Sequence, residues 1–204
     1  MIDVGLKAIV SLRSELHTNM SCIAGLCVAG DVYLCGDSIS HDEVTGLIDI
    51  RASKKVYALG SEIVVGFAGS WKLGQVIQCS FKPPKLPTNI TEKWMFMTLM
   101  PKLLESLTAS STTVEDSAIL IGARDKLFFV DSDMSVYESD ETYFAIGAGA
   151  AVALGALHAL TNVGTHEPQV IVESAIRAAA YHHSVVRPPY TTVTTSGKKF
   201  VSRV

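Results

Sequence analysis

The sequence predicts an α+β fold in which runs of antiparallel strands alternate with pairs of helices. Three observations predict it. Apolar runs come in pairs across tight-turn signals, at Ala29-Gly30-Asp31, Gly60-Ser61, Arg124-Asp125 and Ser196-Gly197. Segments with helical spacing come in two pairs, each lying between runs of strand. Hydrophobic residues make up 48% of the 204 residues and charged ones only 18%, so the chain can bury a sizeable core as a single domain and is not disordered.

In chain order, residues 1–19 carry a weak helical pattern around Leu6, Ile9, Val10, Leu12 and Leu16. They read as a propeptide, an assembly segment or a misplaced start. Ser21 to Asp37 reads as two strands folded at Ala29-Gly30-Asp31. Residues 38–51 are polar and irregular, with Thr45-Gly46 as a turn signal. Ser53 to Leu59 and Ile63 to Ala68 form a second hairpin, and Leu73, Val76 and Ile77 set a helix from Trp71 to about Cys79.

A proline-containing loop, Phe81 to Thr91, leads to a helix over Trp94 to Leu107, which Pro101 should kink or restart. Strands follow at Ala118 to Ala123, Lys126 to Asp131, Ser135 to Glu138 and Tyr143 to Ile146. Gly147-Ala148-Gly149 turns the chain into a helix reaching Leu160. Pro168 fits the first turn of a last helix ending near Ser184. Tyr190 to Thr195 and Lys198 to Val201 close the chain as a hairpin.

The formal net charge of −3 argues against nucleic acid and anionic membranes as principal partners. Cys22, Cys27, Cys35 and Cys79 form no C-x-x-C pair and read as reduced thiols, the first three in core strands, in a cytoplasmic setting. Asp3, Lys7, Arg13 and Glu15 break up the first twenty residues, which therefore do not read as a secretory signal. Tyr143 to Leu160 is apolar but short for a bilayer and rich in glycine and alanine; a strand, a turn and a buried helix fit it better. Neither H-E-x-x-H nor paired C-x-x-C occurs, so neither a metal nor any other cofactor is expected.

The chemistry centres on Ser21 to Asp37. A small hydroxyl residue sits directly before one strand, and a lone carboxylate ends the next, close to where the first begins. This resembles the opening of a proteasome β subunit or of the HslV peptidase after propeptide removal, where a nucleophilic Thr and a Gly-Asp stand at this spacing. Ile146-Gly147-Ala148-Gly149 with Leu154-Gly155-Ala156-Leu157 resembles the Ile-Gly-Ser-Gly and Ala-Leu-Gly-Ala-Leu segment of the same subunits. Met20-Ser21-Cys22-Ile23-Ala24-Gly25-Leu26 also resembles the Met-Thr-Cys-Ile-Val-Gly-Leu opening of short bacterial and phage proteasome-like proteins. Residues 21–195 thus look like the proteasome/HslV branch of the N-terminal-nucleophile (Ntn) hydrolase superfamily.

The resemblance implies a four-layer αββα sandwich, peptide-bond hydrolysis, a homo-oligomeric ring and an ATP-dependent unfoldase as a candidate partner. It divides the chain into an N-terminal extension or propeptide, residues 1–20, and a hydrolase domain, residues 21–204. Ser21 takes the nucleophile position. An N-terminal hydroxyl residue can use its own α-amine, of reference pKa about 7.7–8.0, as general base. Lys55 matches the lysine beside the nucleophile, with Asp37 offsetting its charge. Gly69 matches the glycine whose N–H forms the oxyanion hole. Gly66 and Phe67 fall beside the pocket for the substrate residue before the scissile bond. His41 and Gly69 flank an extended peptide substrate bound as an added strand.

The residues themselves leave plainer readings open. Ser21 also fits a surface serine at a strand start, Lys54 and Lys55 a solvated pair, and Gly66 to Gly69 a tightly packed turn. Departures from the family pattern bear on activity. Ser replaces Thr at position 21, Ala148 stands where a serine is usual, and His183 and Val186 stand near the usual Asp and Ser. His182, His183 and Ser184 offer substitute hydrogen bonds. Met20 before Ser21 is what a methionine aminopeptidase trims, which points to Met20 as the working start. Three functions follow: a peptidase using Ser21, a catalytically silent ring or structural protein, and an Ntn amidase on small amides, with Cys22 as a variant nucleophile.

Overall fold

In the computed structural model, which describes residues 21–41, 48–50, 53–164 and 166–203, the chain opens with β1 (Ile23–Val28) and β2 (Asp31–Gly36). Ala29 and Gly30 both take positive φ, 52° and 81°, the primed turn whose twist matches a two-residue hairpin. Next come β3 (Ile39–His41), β4 (Ile48–Ile50), β5 (Val56–Ala58) and β6 (Ile63–Ala68). Helix α1 (Trp71–Cys79) follows, capped by the Ser70 hydroxyl, which accepts the Leu73 N–H. After α2 (Met100–Ala109) come β7 (Ala118–Ala123), β8 (Lys126–Val130), β9 (Val136–Glu138) and β10 (Tyr143–Ile146). The chain ends with α3 (Ala150–Val163), α4 (Pro168–His182), β11 (Tyr190–Thr194) and β12 (Lys199–Ser202).

The strands form two five-stranded antiparallel sheets, ordered β10-β1-β2-β11-β12 and β5-β6-β7-β8-β9. Side-chain alternation sorts each strand between two cores. From the first sheet, Ile23, Leu34 and Val193 meet Val56, Val64 and Leu120 of the second in the inter-sheet layer. Cys22, Ala24, Leu26 and Cys35 point the other way, onto Ile171, Ala175, Ile176 and Ala179 of α4. The outer face of the second sheet, through Val65, Phe67, Ile119 and Ile121, meets Leu73, Ile77, Leu103 and Leu107 of α1 and α2. Three cores between four layers give the αββα sandwich. Each fully buried Leu, Ile or Phe stabilises it by about 1.5–3 kcal/mol.

The structure departs from the sequence reading in three places. Residues read as polar and irregular contain a two-stranded ribbon, β3 paired with β4, because Ile39, Ile48 and Ile50 alternate with polar residues. The helix before Pro101 starts earlier, at Glu92, and runs as a π-helical turn over Met95–Leu99. The Met100 N–H reaches back five residues to the Met95 carbonyl, widening the turn just ahead of the proline, which has no N–H of its own to give. Of the cysteines read as core residues, Cys22 and Cys35 are buried but Cys27 is half-buried; Cys79 is exposed. The helical pattern of residues 1–19 lies outside the described residues. None of the described helices is long and apolar enough to cross a membrane.

Candidate active site

Because β1 and β2 are antiparallel, the start of one meets the end of the other. Ile23 faces Gly36, which sets Cys22 against Asp37. The Cys22 N–H donates to Asp37 Oδ1 at 3.0 Å, and the Asp37 N–H returns a bond to the Cys22 carbonyl at 3.4 Å. Ser21 stands one residue before this clasp and is 2% exposed.

Asp37 also joins β1 to the second sheet. Its Oδ2 accepts the Lys55 ammonium at 2.7 Å and the Ile39 N–H at 3.3 Å. The Lys55 carbonyl accepts the Phe67 N–H at 3.0 Å, which ties this corner to β6. Lys55 Nζ lies 5.6 Å from the centroid of the Trp71 ring, a cation–π contact at the first residue of α1. Burial pushes the Asp37 carboxyl above its ordinary value, against the opposing pull of Lys55 and the two backbone N–H groups. Burial pulls the Lys55 ammonium below its ordinary value, against the opposing charge of Asp37. A lysine lowered by burial gives up a proton more readily than a solvated one.

The turn after β10 grips Ser21 from above. Gly147 takes φ +92°, and a Cβ built there would lie 2.3 Å from the Ser21 carbonyl oxygen and 3.2 Å from Ala68 Cβ. Only glycine allows both contacts. The Gly149 N–H donates to the same Ser21 carbonyl at 3.4 Å. Gly69, with φ +110°, follows Ala68 directly and turns β6 into α1. Four segments distant in sequence, ending at Ser21, Asp37, Lys55 and Gly69, therefore share one corner of the sandwich.

The other sequence-predicted residues fall in different surroundings. A Cβ on Gly66 would lie 2.6 Å from Ile23 Cγ2, so this glycine seats Ile23 between the sheets. Phe67 is 2% exposed and packs edge-on to Trp71 with ring centroids 5.6 Å apart. His41 ends β3, and its side chain lies outside the description. Ala148 is half-buried and His183 closes α4, while Val186 is buried in the helix-side core. The sequence marks Trp71 only as a helix start and Gly147 only as part of a turn, and ties neither to Lys55 or Ser21. A glycine between Ile146 and Ala148 was the signal for the second; nothing local marks Trp71 as a neighbour of Lys55.

The Cys22 thiol is closed to solvent, and burial together with the Asp37 charge raises its pKa far above the ordinary thiol value. Among the described residues, no group of three or more His, Cys, Asp or Glu side chains is arranged to hold a metal ion.

The fold recurs in solved structures. The chain is similar to BPH from Thiobacillus denitrificans in complex with epoxomicin, with a TM-score of 0.73 and 18% identity over 85% of this chain and 97% of that one. The same protein in a second structure gives a TM-score of 0.73 over 96% of its length. The chain has the Ntn-hydrolase fold. Eukaryotic HslV from Trypanosoma brucei also matches, with a TM-score of 0.64 and 17% identity over 85% of this chain and 98% of that one. No protein-family model matches the sequence, and neither does any curated protein.

Proposed function

We propose that the chain is an N-terminal-nucleophile peptidase with Ser21 as nucleophile, and that residues 1–20 are removed to leave a hydrolase domain of residues 21–204. The observation that carries this reading is the buried Lys55–Asp37 pair anchored to the backbone N–H directly after Ser21. A buried ion pair is costly to desolvate and is weak support for a merely structural role. In the proposed reaction the Ser21 hydroxyl oxygen attacks the peptide carbonyl carbon and its proton passes to the α-amine. The Gly69 N–H stabilises the oxyanion. The α-ammonium returns the proton to the departing amine, and water then cleaves the Ser21 ester by the same route. Lys55 holds a positive charge close to the nucleophile.

The substrate is a peptide bound in extended form between His41 and Gly69, with Gly66 and Phe67 behind the residue before the scissile bond. The protein works as a homo-oligomeric ring in the cytoplasm, fed by an ATP-dependent unfoldase. Four free cysteines fit a reducing compartment. HslV-like and BPH neighbours with this fold support the hydrolase class.

One observation favours a second reading, a catalytically silent scaffold: Ala148 places a methyl group where the related pattern carries a hydroxyl. The buried, protonated state of Cys22 disfavours an amidase that uses this thiol. The test is intact-mass determination of the untagged protein, followed by peptide-hydrolysis assays on a chain produced to begin at Ser21. Epoxomicin, the compound in the Thiobacillus complex, serves as inhibitor. The proposal expects hydrolysis that epoxomicin blocks and Ser21→Ala abolishes. A folded chain beginning at Ser21 that cleaves no peptide and ignores epoxomicin is the silent scaffold.

A further inference from the structure

Trp71 opens α1 directly after its Ser70 cap. The indole packs against the outer core, stays half-buried, and turns a face to the Lys55 ammonium. The ring is held from behind. Phe67 meets it edge-on, at 5.6 Å between centroids and 80° between planes. Phe67 is itself pressed against Gly74, where a Cβ would collide with its ring. It also lies beside Tyr57, whose hydroxyl donates to the Gly74 carbonyl at 2.9 Å. The Phe67 N–H binds the Lys55 carbonyl at 3.0 Å. One residue thus fixes both the indole and the backbone of the lysine that the indole faces. The N-terminus of a helix disfavours a nearby cation. With no acidic side chain in the first turn of α1, the indole is what that turn offers the ammonium.

We propose that Trp71 is a positioning residue: its indole face keeps the Lys55 ammonium charged and fixed beside Asp37, in the corner that holds Ser21. Its part in peptide hydrolysis rests on the peptidase reading; the hold on Lys55 does not. A ring face attracts an ammonium through its quadrupole and carries no net charge. It therefore adds to the pull of Asp37 without a second carboxylate, which would leave a buried corner net negative. Burial favours loss of the Lys55 proton, and Asp37 opposes that loss. Among the described residues, Cys22 is the other titratable group that acts on Lys55, and the Ser21 amine joins them once it is freed. Without the ring face, the folded-state pKa of Lys55 falls, and the corner loses its positive charge at a lower pH. Simple packing of Trp71 on Phe67 predicts no such change when another apolar side chain takes its place.

Nuclear magnetic resonance of the full chain, labelled at the lysine ε-carbon, measures the titration of Lys55, with Lys55→Arg identifying its signal. Trp71→Leu keeps an apolar side chain and removes the ring face; Trp71→Phe restores a smaller one. The Lys55 midpoint is expected to fall by about 0.4–1.5 on the pH scale in Trp71→Leu, and by less in Trp71→Phe. In wild type the Lys55 ε-protons should lie upfield of those of other lysines, displaced by the indole ring current, a reading that needs no folded variant. In a chain beginning at Ser21, Trp71→Leu should move the alkaline limb of kcat to lower pH by the same amount, with KM and the acid limb little changed. If that chain cleaves no peptide while the Lys55 midpoint still falls, the hold on Lys55 stands and the peptidase reading is what fails. An unchanged or raised midpoint in folded Trp71→Leu, or wild-type ε-protons without the displacement, overturns the proposal.

Discussion

Lys55 Nζ lies 2.7 Å from Asp37 Oδ2, and both side chains are closed to solvent. Breaking such a pair from one side strands a charge in the interior. Lys55→Met should therefore destabilise the fold by about 3–5 kcal/mol. Asp37→Leu should do the same and also strand the Cys22 and Ile39 N–H groups. The double variant should lose clearly less than the sum of the two, because the charge left by each single change is gone. Denaturant titration of the four proteins measures this coupling, and strict additivity would contradict the ion pair.

Gly147 and Gly155 make opposite predictions for the same substitution. A Cβ at Gly147 meets the Ser21 carbonyl at 2.3 Å on a backbone with φ +92°, whereas one at Gly155 meets nothing within 4 Å. Gly147→Ala should cost about 1–3 kcal/mol and displace Ser21. Gly155→Ala, inside α3, should stabilise by up to about 1 kcal/mol. Thermal melts of both variants check the contrast.

Thr191 is 1% exposed, and its hydroxyl has no hydrogen-bond partner among the described residues. An unmet buried hydroxyl costs about 1–3 kcal/mol. Thr191→Val keeps the branched shape suited to a strand and removes the unmet group. It should leave stability unchanged or raise it by about 1 kcal/mol. A loss of more than that in denaturant unfolding would mean that the hydroxyl is engaged.

Asp31 gives the fold an acid-sensitive lock. Its carboxylate accepts the Thr195 hydroxyl at 2.6 Å and the Ser196 N–H at 3.0 Å, fastening the β1–β2 turn to the β11–β12 turn. Burial works to raise its pKa, but the Ser196 and Thr195 bonds outweigh it and hold the group below the ordinary carboxylate value. A depressed folded-state pKa means that the unfolded chain binds more protons in that range. The stability from Asp31 is thus complete above the unfolded value of about 3.9 and is lost as pH falls through the folded value. Wild type should lose more stability than Asp31→Asn on acidification below about pH 4, as read by denaturation midpoints across pH.

Much of this fold is visible in the sequence because its strands are written in period two between strong turn signals. Ile23, Leu34 and Val193 alternate with residues of the opposite face, and Gly30 and Gly197 mark their hairpins at positive φ. Short elements fixed by tertiary contact are less visible. The β3–β4 ribbon lies in a polar stretch, and the π-helical turn arises from the placing of Pro101 rather than from apolar spacing. At the site, Ser21 and Asp37 are legible because one hairpin brings them together. Lys55 carries no local sign of its partner, and the resemblance to proteasome subunits singled it out. Trp71 over Lys55 and Gly147 against Ser21 depend on how the sheets stack, which strand order alone does not specify.

The most direct test of the central claim is covalent labelling of a chain beginning at Ser21 with a hydroxyl-directed electrophilic peptide, located by peptide mapping. The account predicts one adduct per chain on Ser21, kept in Cys22→Ala and absent in Ser21→Ala. A folded chain with a free Ser21 amine that forms no adduct, or one that carries it on Cys22, would contradict it.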